Sequence, residues 1–221
     1  MCYSLEASVI AGLGLGVAGV GMVTKALRSD RGMLLFAAFP LFFSLHQFTE
    51  AAVWATLDDP QYAQFFRGSY TLIAFCLWPV LTPLAAAYEE TDSERRKLWQ
   101  AMAGVGVVLA LWLIAQLYST PGVDVRVIRH SLAYEPAFDR PPLVVHGAYL
   151  LLTVLPLVAC SRRNVAVLGW IVLGTFVYAL AANRPAWYSL WCLAAAALSF
   201  VLALAIQEPR RSRLDSSPAQ S

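Results

Sequence analysis

The chain has 221 residues, 59% of them hydrophobic and only 14% charged, with a mean hydropathy of +0.60. Soluble globular domains carry about 25% charged residues, so the composition excludes an ordinary water-soluble domain and puts the chain in the polytopic membrane class. The net charge of +2 is small and the basic residues sit in short clusters between apolar runs, which excludes a nucleic-acid-binding surface.

The N-terminus, MCYSLEAS, lacks the basic region of a cleavable signal peptide. Seven apolar segments follow, each long enough for a membrane-spanning helix: Ser8–Leu27, Gly32–Leu57, Ser69–Tyr88, Leu98–Tyr118, Leu143–Cys160, Val165–Ala182 and Trp187–Gln207. The fold class is therefore all-α, a polytopic membrane bundle of seven transmembrane helices over residues 1–207. A Ser-, Pro- and Arg-rich tail, residues 208–221, is expected to be disordered. Lysine and arginine gather on one side of the spans, at Lys25–Arg31, Arg95–Lys97, Arg162–Arg163 and Arg210–Arg213, so that side is cytoplasmic. This puts the N-terminus outside and the C-terminus in the cytoplasm of a cell inner (plasma) membrane.

The first segment carries Gly12, Gly16 and Gly19 on one face, where another helix can approach closely and where a homo-oligomer would pair. Its Gly14-x-Gly16-x-x-Gly19 has the letters of a dinucleotide fingerprint but neither the strand nor the βαβ unit that motif needs. The third segment holds Pro79 and Pro83, one turn apart, and predicts a kink filled by neighbouring helices. ERRK, after it, reads as a solvated charge run. Between the fourth and fifth segments lies the one long connection. Val123, Val125 and Val127 alternate with Asp124 and Arg126, predicting a small outer hairpin or lid over the bundle. Cys2, Cys76, Cys160 and Cys192 have no CxxC spacing and read as buried, inert thiols.

The chemistry concentrates in the second segment. His46, Gln47 and Glu50 lie in an otherwise apolar span, and His46 and Glu50, four apart, share a helix face. Ionisable groups at membrane depth are costly unless paired or facing water. The orientation places His46 near the middle of its span, Glu50 a turn further out, His146 about a turn below the outer surface and Glu6 at the outer start of the first segment. The polar groups thus converge on the outer half. Two readings of an active site follow. His46, Glu50, His146 and Glu6 are the candidate ligands of a zinc or iron ion with an open position. Alternatively His46, Gln47, Glu50, Trp54, His130, Trp191 and Cys192 line a pocket for a small ligand in a receptor- or transporter-like protein. A third reading has the three polar residues of the second segment only bonding neighbouring helices. An opsin is excluded, because the seventh segment has no lysine for a Schiff base.

Met1-Cys2-Tyr3-Ser4 with Ala7-Ser8, His46-Gln47-x-x-Glu50-x-x-x-Trp54, Arg129-His130-Ser131-x-x-Tyr134 and Ser189-Leu190-Trp191-Cys192 together resemble a family of small bacterial polytopic membrane proteins without an assigned function. Its members typically begin Met-Cys-Phe-Ser, and Tyr3 stands here in place of the Phe. The resemblance implies the seven-span architecture and carries no activity. Seven spans and the Ser44-x-His46 pair are also similar to alkaline ceramidases and haemolysin-III-like proteins. That likeness implies a membrane-embedded, metal-dependent hydrolase of lipid amides or esters. The histidines that those families draw from the last span are missing from WYSLWCLAAAALSFVLALAIQ.

Overall fold

The computed structural model describes residues 4–59, 61–120, 122–128, 131–136, 143–182 and 187–206. They form seven helices and one two-stranded hairpin. The helices are α1 (Leu5–Ser29), α2 (Arg31–Ala55), α3 (Ala63–Glu89), α4 (Ser93–Tyr118), α5 (Leu143–Val158), α6 (Arg163–Ala182) and α7 (Trp187–Leu198). The strands are β1 (Val123–Ile128) and β2 (Ser131–Pro136). Five helices, α1 to α4 and α6, are long and apolar enough to cross a membrane. The fifth and seventh apolar segments give shorter helices of 16 and 12 residues, α7 loosening at Ser199–Val201 into a 3-10 turn before a last helical turn, Leu202–Ala205.

Local sequence explains the boundaries. Ser4 caps α1 by accepting from the Ala7 N–H at 3.2 Å, and Asp92 caps α4 through the Glu94 and Arg95 N–H groups at 3.1 and 3.0 Å. α2 pauses at Ala38, two residues before Pro40, which then sits in the first turn of the helix Phe39–Ala55, where its missing donor costs least. α3 widens into a π-turn at Ile73–Leu77 just before Pro79. A π-turn absorbs the hydrogen bond that the proline cannot donate.

α1 lies along α2. Its buried residues, Ser8, Gly12, Leu15, Gly19, Met22 and Ala26, alternate in steps of four and three, the seam of two helices in contact. The Ser44 hydroxyl donates to the Gly12 carbonyl at 2.7 Å, and a Cβ on Gly19 would overlap Leu41. The Gly12–Gly16–Gly19 face expected to admit a second helix is thus occupied by α2, leaving Gly14 and Gly21 on the open side. α3 runs through the middle against α2, α4 and α5; α6 packs on α5, and α7 on α6 and α2. Pro83 has no N–H for the Pro79 carbonyl. Gly106 of α4 sits against that carbonyl so closely that any Cβ would collide with it. The Tyr149 hydroxyl donates to the Ala74 carbonyl of the π-turn at 2.8 Å. Neighbouring helices fill this kink, as the prolines led one to expect.

The hairpin pairs β1 and β2 antiparallel, Val123 opposite Pro136 and Ile128 opposite Ser131. Val123 and Val125 face inward, packing with Leu132 and Tyr134 on Val53, Tyr70 and Ala74, whereas Val127 is about half exposed. Arg126 bridges Asp124 and Glu135 on the open face, at 3.5 and 3.2 Å. The Gln64 amide clamps the backbone of Val123 from both sides, accepting its N–H at 3.0 Å and donating to its carbonyl at 3.3 Å. Gly122, at φ 123°, turns the chain there, in a conformation that glycine adopts without strain.

At the opposite end of the bundle the ERRK run is largely solvated, as expected, with Glu94, Arg96 and Lys97 exposed and Arg95 partly so. The Arg95 guanidinium pairs with Glu90 at 3.0 Å and also donates to the Ala159 carbonyl, while Arg96 donates to the Glu90 carbonyl at 2.7 Å. Lys97 and Glu94 pair at the surface. Arg162, 5% exposed, joins Glu89 at 2.8 Å and Asp30, so three interhelical connections are tied together. Burial of Glu90 in the protein disfavours its charged form. The Ser161 hydroxyl, the Asp92 and Thr91 N–H groups and Arg95 outweigh that opposition and hold its carboxyl below the usual glutamate value of 4.5.

Candidate functional site

The second apolar segment becomes α2, and its midpoint is where the hairpin, α3 and α7 meet it. His46, Gln47 and Glu50 are 0–1% exposed. Their burial follows from helix periodicity, since positions 43, 46, 47 and 50 fall on one face, and that face points into the bundle. The polar set therefore does not look into lipid.

The His46 ring lies 4.3 Å from that of Tyr70 on α3, tilted by 39°. Tyr70 is in turn stacked on Tyr134 of β2, centroids 3.9 Å apart and planes within 4° of parallel. Hairpin, α3 and α2 thus meet in a three-ring column, with the hairpin's tyrosine as its lid and the imidazole at its inner end. Both ring nitrogens of His46 are enclosed and have no hydrogen-bond partner among the described residues. Gln47 and Glu50 each have a partner. Glu50 also lies within electrostatic reach of the Cys192 thiol on α7.

The expected site residues do not all come together. His46, Gln47, Glu50 and Cys192 are buried at this junction. Trp54 stands at its edge, half-buried in the hairpin-side cluster, with its indole N–H unpaired among the described residues. Trp191 is buried one position before Cys192, its N–H donated to the Val172 carbonyl at 3.1 Å. Glu6 is exposed on the first turn of α1 and His146 half-buried on α5. His130, Cys2 and the tail lie outside the described residues, as does the side chain of Ser189.

All four candidate metal ligands are described, and they do not assemble. Among the described residues no three His, Cys, Asp or Glu side chains stand together as a metal-binding group. Zinc or iron sites with an open position need about three protein donors, and Glu6 faces away at the surface. What the junction can do is hydrogen-bond: a neutral imidazole offers one donor and one acceptor, beside an amide, a carboxyl group and a thiol.

Below His46, toward the charged end, a cavity of about 40 Å³ lies between α2, α3, α5, α6 and α7. Its wall is almost wholly apolar and includes Phe43, Trp78, Tyr149, Trp191 and Cys192. Phe43, one helix turn from His46 and Gln47, and Cys192, which neighbours Glu50, are the lining residues nearest the junction. The sequence reading missed Tyr70 and this cavity. Tyr134 was visible in the Arg129-His130-Ser131-x-x-Tyr134 pattern, but Tyr70 sits in an unremarkable GSYTL, and only the fold brings it onto His46.

Neither a curated protein nor a solved structure matches the chain. The family model for DUF6629, a family of unknown function, matches residues 1–217. A match over nearly the whole length settles the relationship: this chain belongs to the DUF6629 family.

Proposed function

We propose that the protein is a seven-span integral protein of the bacterial inner membrane that binds a small ligand at the junction of His46, Gln47 and Glu50. Its N-terminus is outside, its C-terminus cytoplasmic, and its role is receptor- or transporter-like. The hairpin is the outer lid of the site, held through the Tyr134–Tyr70 stack. The positive-inside asymmetry supports this orientation, and it agrees with the Arg-rich ion network at the end opposite the hairpin.

One observation carries the reading: a fully enclosed imidazole with both nitrogens unpartnered among the described residues. Leaving a buried donor or acceptor unsatisfied costs about 1–3 kcal/mol each, and a bound molecule that hydrogen-bonds both nitrogens recovers that cost. The test is extraction of the detergent-purified protein followed by mass spectrometry, on the native chain and on His46→Phe. Phenylalanine preserves the ring against Tyr70 and removes both nitrogens. The expected result is a small organic species that accompanies the native chain in stoichiometric amount and is absent from the variant. Identical extracts from the two proteins would overturn the reading.

A further inference from the structure

Near their joint, α5 and α6 are packed too closely to part: a Cβ on Gly169 of α6 would overlap the backbone of Leu157 and Val158. Packing this tight makes the two helices one unit. The joint itself, residues 159–162, is fastened to the bundle by polar groups. Arg162 donates to Glu89 at 2.8 Å and pairs with Asp30, the Ser161 hydroxyl donates to Glu90 at 2.7 Å, and the Ala159 carbonyl accepts from Arg95. Asp30 follows α1, Glu89 and Glu90 close α3, and Arg95 lies in the first turn of α4. One short joint is thus tied to α1, α3 and α4.

Closer to the hairpin, neutral hydrogen bonds hold the same unit. The Tyr149 hydroxyl donates to the Ala74 carbonyl of the π-turn at 2.8 Å, and the Trp191 N–H to the Val172 carbonyl at 3.1 Å. On this side the cavity is walled by Tyr149, Thr153, Leu157, Leu168 and Val172, all from α5 and α6. Stability alone does not call for an ionic fastening, because packed apolar residues in place of a buried ion pair are often neutral or stabilising. The two differ on opening: separated charges regain their hydration, whereas separated apolar faces lose their stabilisation to water. Water already reaches one side of the network, where Arg95 is 37% exposed against 5% for Arg162 and Glu89. We propose that α5 and α6 form a lever, pivoting at Tyr149 and Val172 and latched at Arg162, whose release opens the cavity at the end opposite the hairpin. In the receptor- or transporter-like reading above, on which this rests, the latch is the inner gate and the hairpin the outer one.

The test is alkylation of the full-length protein in detergent with N-ethylmaleimide, followed at each cysteine by peptide mass spectrometry. Cys160 lies in the joint, half-buried, and Cys192 lines the cavity from α7, so release of the lever exposes both. In Arg162→Gln both should react faster than in the native chain by about tenfold or more, because a buried pair that loses one partner favours the state in which the other is hydrated. Asp30→Asn, at a less buried position, should speed both by a smaller factor and serves if the first variant fails to fold. The double variant Arg162→Met, Glu89→Met, which packs but gains nothing from hydration, should keep both rates at or below native. Native rates at both cysteines in a folded Arg162→Gln would overturn the proposal. So would acceleration at Cys160 alone, since that is fraying of the joint and not movement of the lever. The two readings fail separately. If His46→Phe loses its extracted species and Arg162→Gln leaves both cysteines unchanged, the latch falls and the His46 site stands. If the extracts are identical and both cysteines accelerate, the His46 site falls and the lever stands.

Discussion

Replacing His46 by phenylalanine is the perturbation that separates a binding residue from a packing residue. The ring is enclosed, 4.3 Å from Tyr70, and neither nitrogen is bonded among the described residues. In the ligand-free protein, each unsatisfied group costs about 1–3 kcal/mol, and replacing it with an apolar group of similar shape recovers much of that cost. The six-membered ring is somewhat larger, and overpacking costs about 1–3 kcal/mol. The balance is a gain of about 1–2 kcal/mol for the empty protein. For a chain of this length that is about 2–8 °C in the unfolding midpoint. The assay is thermal unfolding in detergent, followed by intrinsic fluorescence, on protein stripped of extractable small molecules and on protein as purified. The stripped variant should melt above the stripped native chain, and only the native chain should gain further from the returned extract. A variant that melts several degrees below the native chain in both states would refute the reasoning. It would mean that the imidazole nitrogens are already bonded and serve packing alone.

Four further outcomes follow. Gly106→Ala drives a methyl group into the Pro79 carbonyl and should destabilise the protein by about 1–3 kcal/mol, whereas Gly104→Ala, where the space is open, should leave the midpoint nearly unchanged. Arg162→Met takes the partner from Glu89 in a buried pair and should cost about 3–5 kcal/mol, read as a lowered midpoint. Glu90 is held below its usual ionisation range, so its contribution is complete above that range and lost as pH falls through the lowered value. Unfolding midpoints should therefore be flat near neutrality and drop in acid, and in Glu90→Gln that acid drop should shrink. A reporter fused to the C-terminus should be active only if it folds in the cytoplasm; activity restricted to the exterior would reverse the orientation.

The helices were legible because apolar runs of about 20 residues broken by charged or proline-rich joints have few other readings. The hairpin was legible from the alternation at Val123, Val125 and Val127, and the α1 seam from the spacing of Gly12, Gly16 and Gly19. Burial of His46, Gln47 and Glu50 on one face could be read from the helical period. Cys192 was expected beside that face, but the stack of Tyr70 and Tyr134 on His46 was not, because its rings come from distant elements brought together by packing. Glu6 failed as a metal ligand for the same reason: depth along a span says nothing about which way a side chain turns. The ion network marks a limit of another kind. The ERRK run reads as solvated and largely is, but the buried pair of Arg162 and Glu89 could not be read, because it forms only when the joints between the helices fold against one another.

The account turns on the two nitrogens of one imidazole, and the chain has only three histidines, which makes it suited to a direct measurement. Solid-state NMR of protein labelled with nitrogen-15 at histidine, reconstituted in bilayers, reports the bonding of each ring nitrogen. After removal of small molecules, His46, assigned by the signal missing from His46→Phe, should show a neutral ring with neither nitrogen strongly hydrogen-bonded. Returning the native extract should shift both signals, one as donor and one as acceptor. Signals already in the bonded range in the stripped protein, and unmoved by the extract, would contradict the proposal that a ligand completes this site.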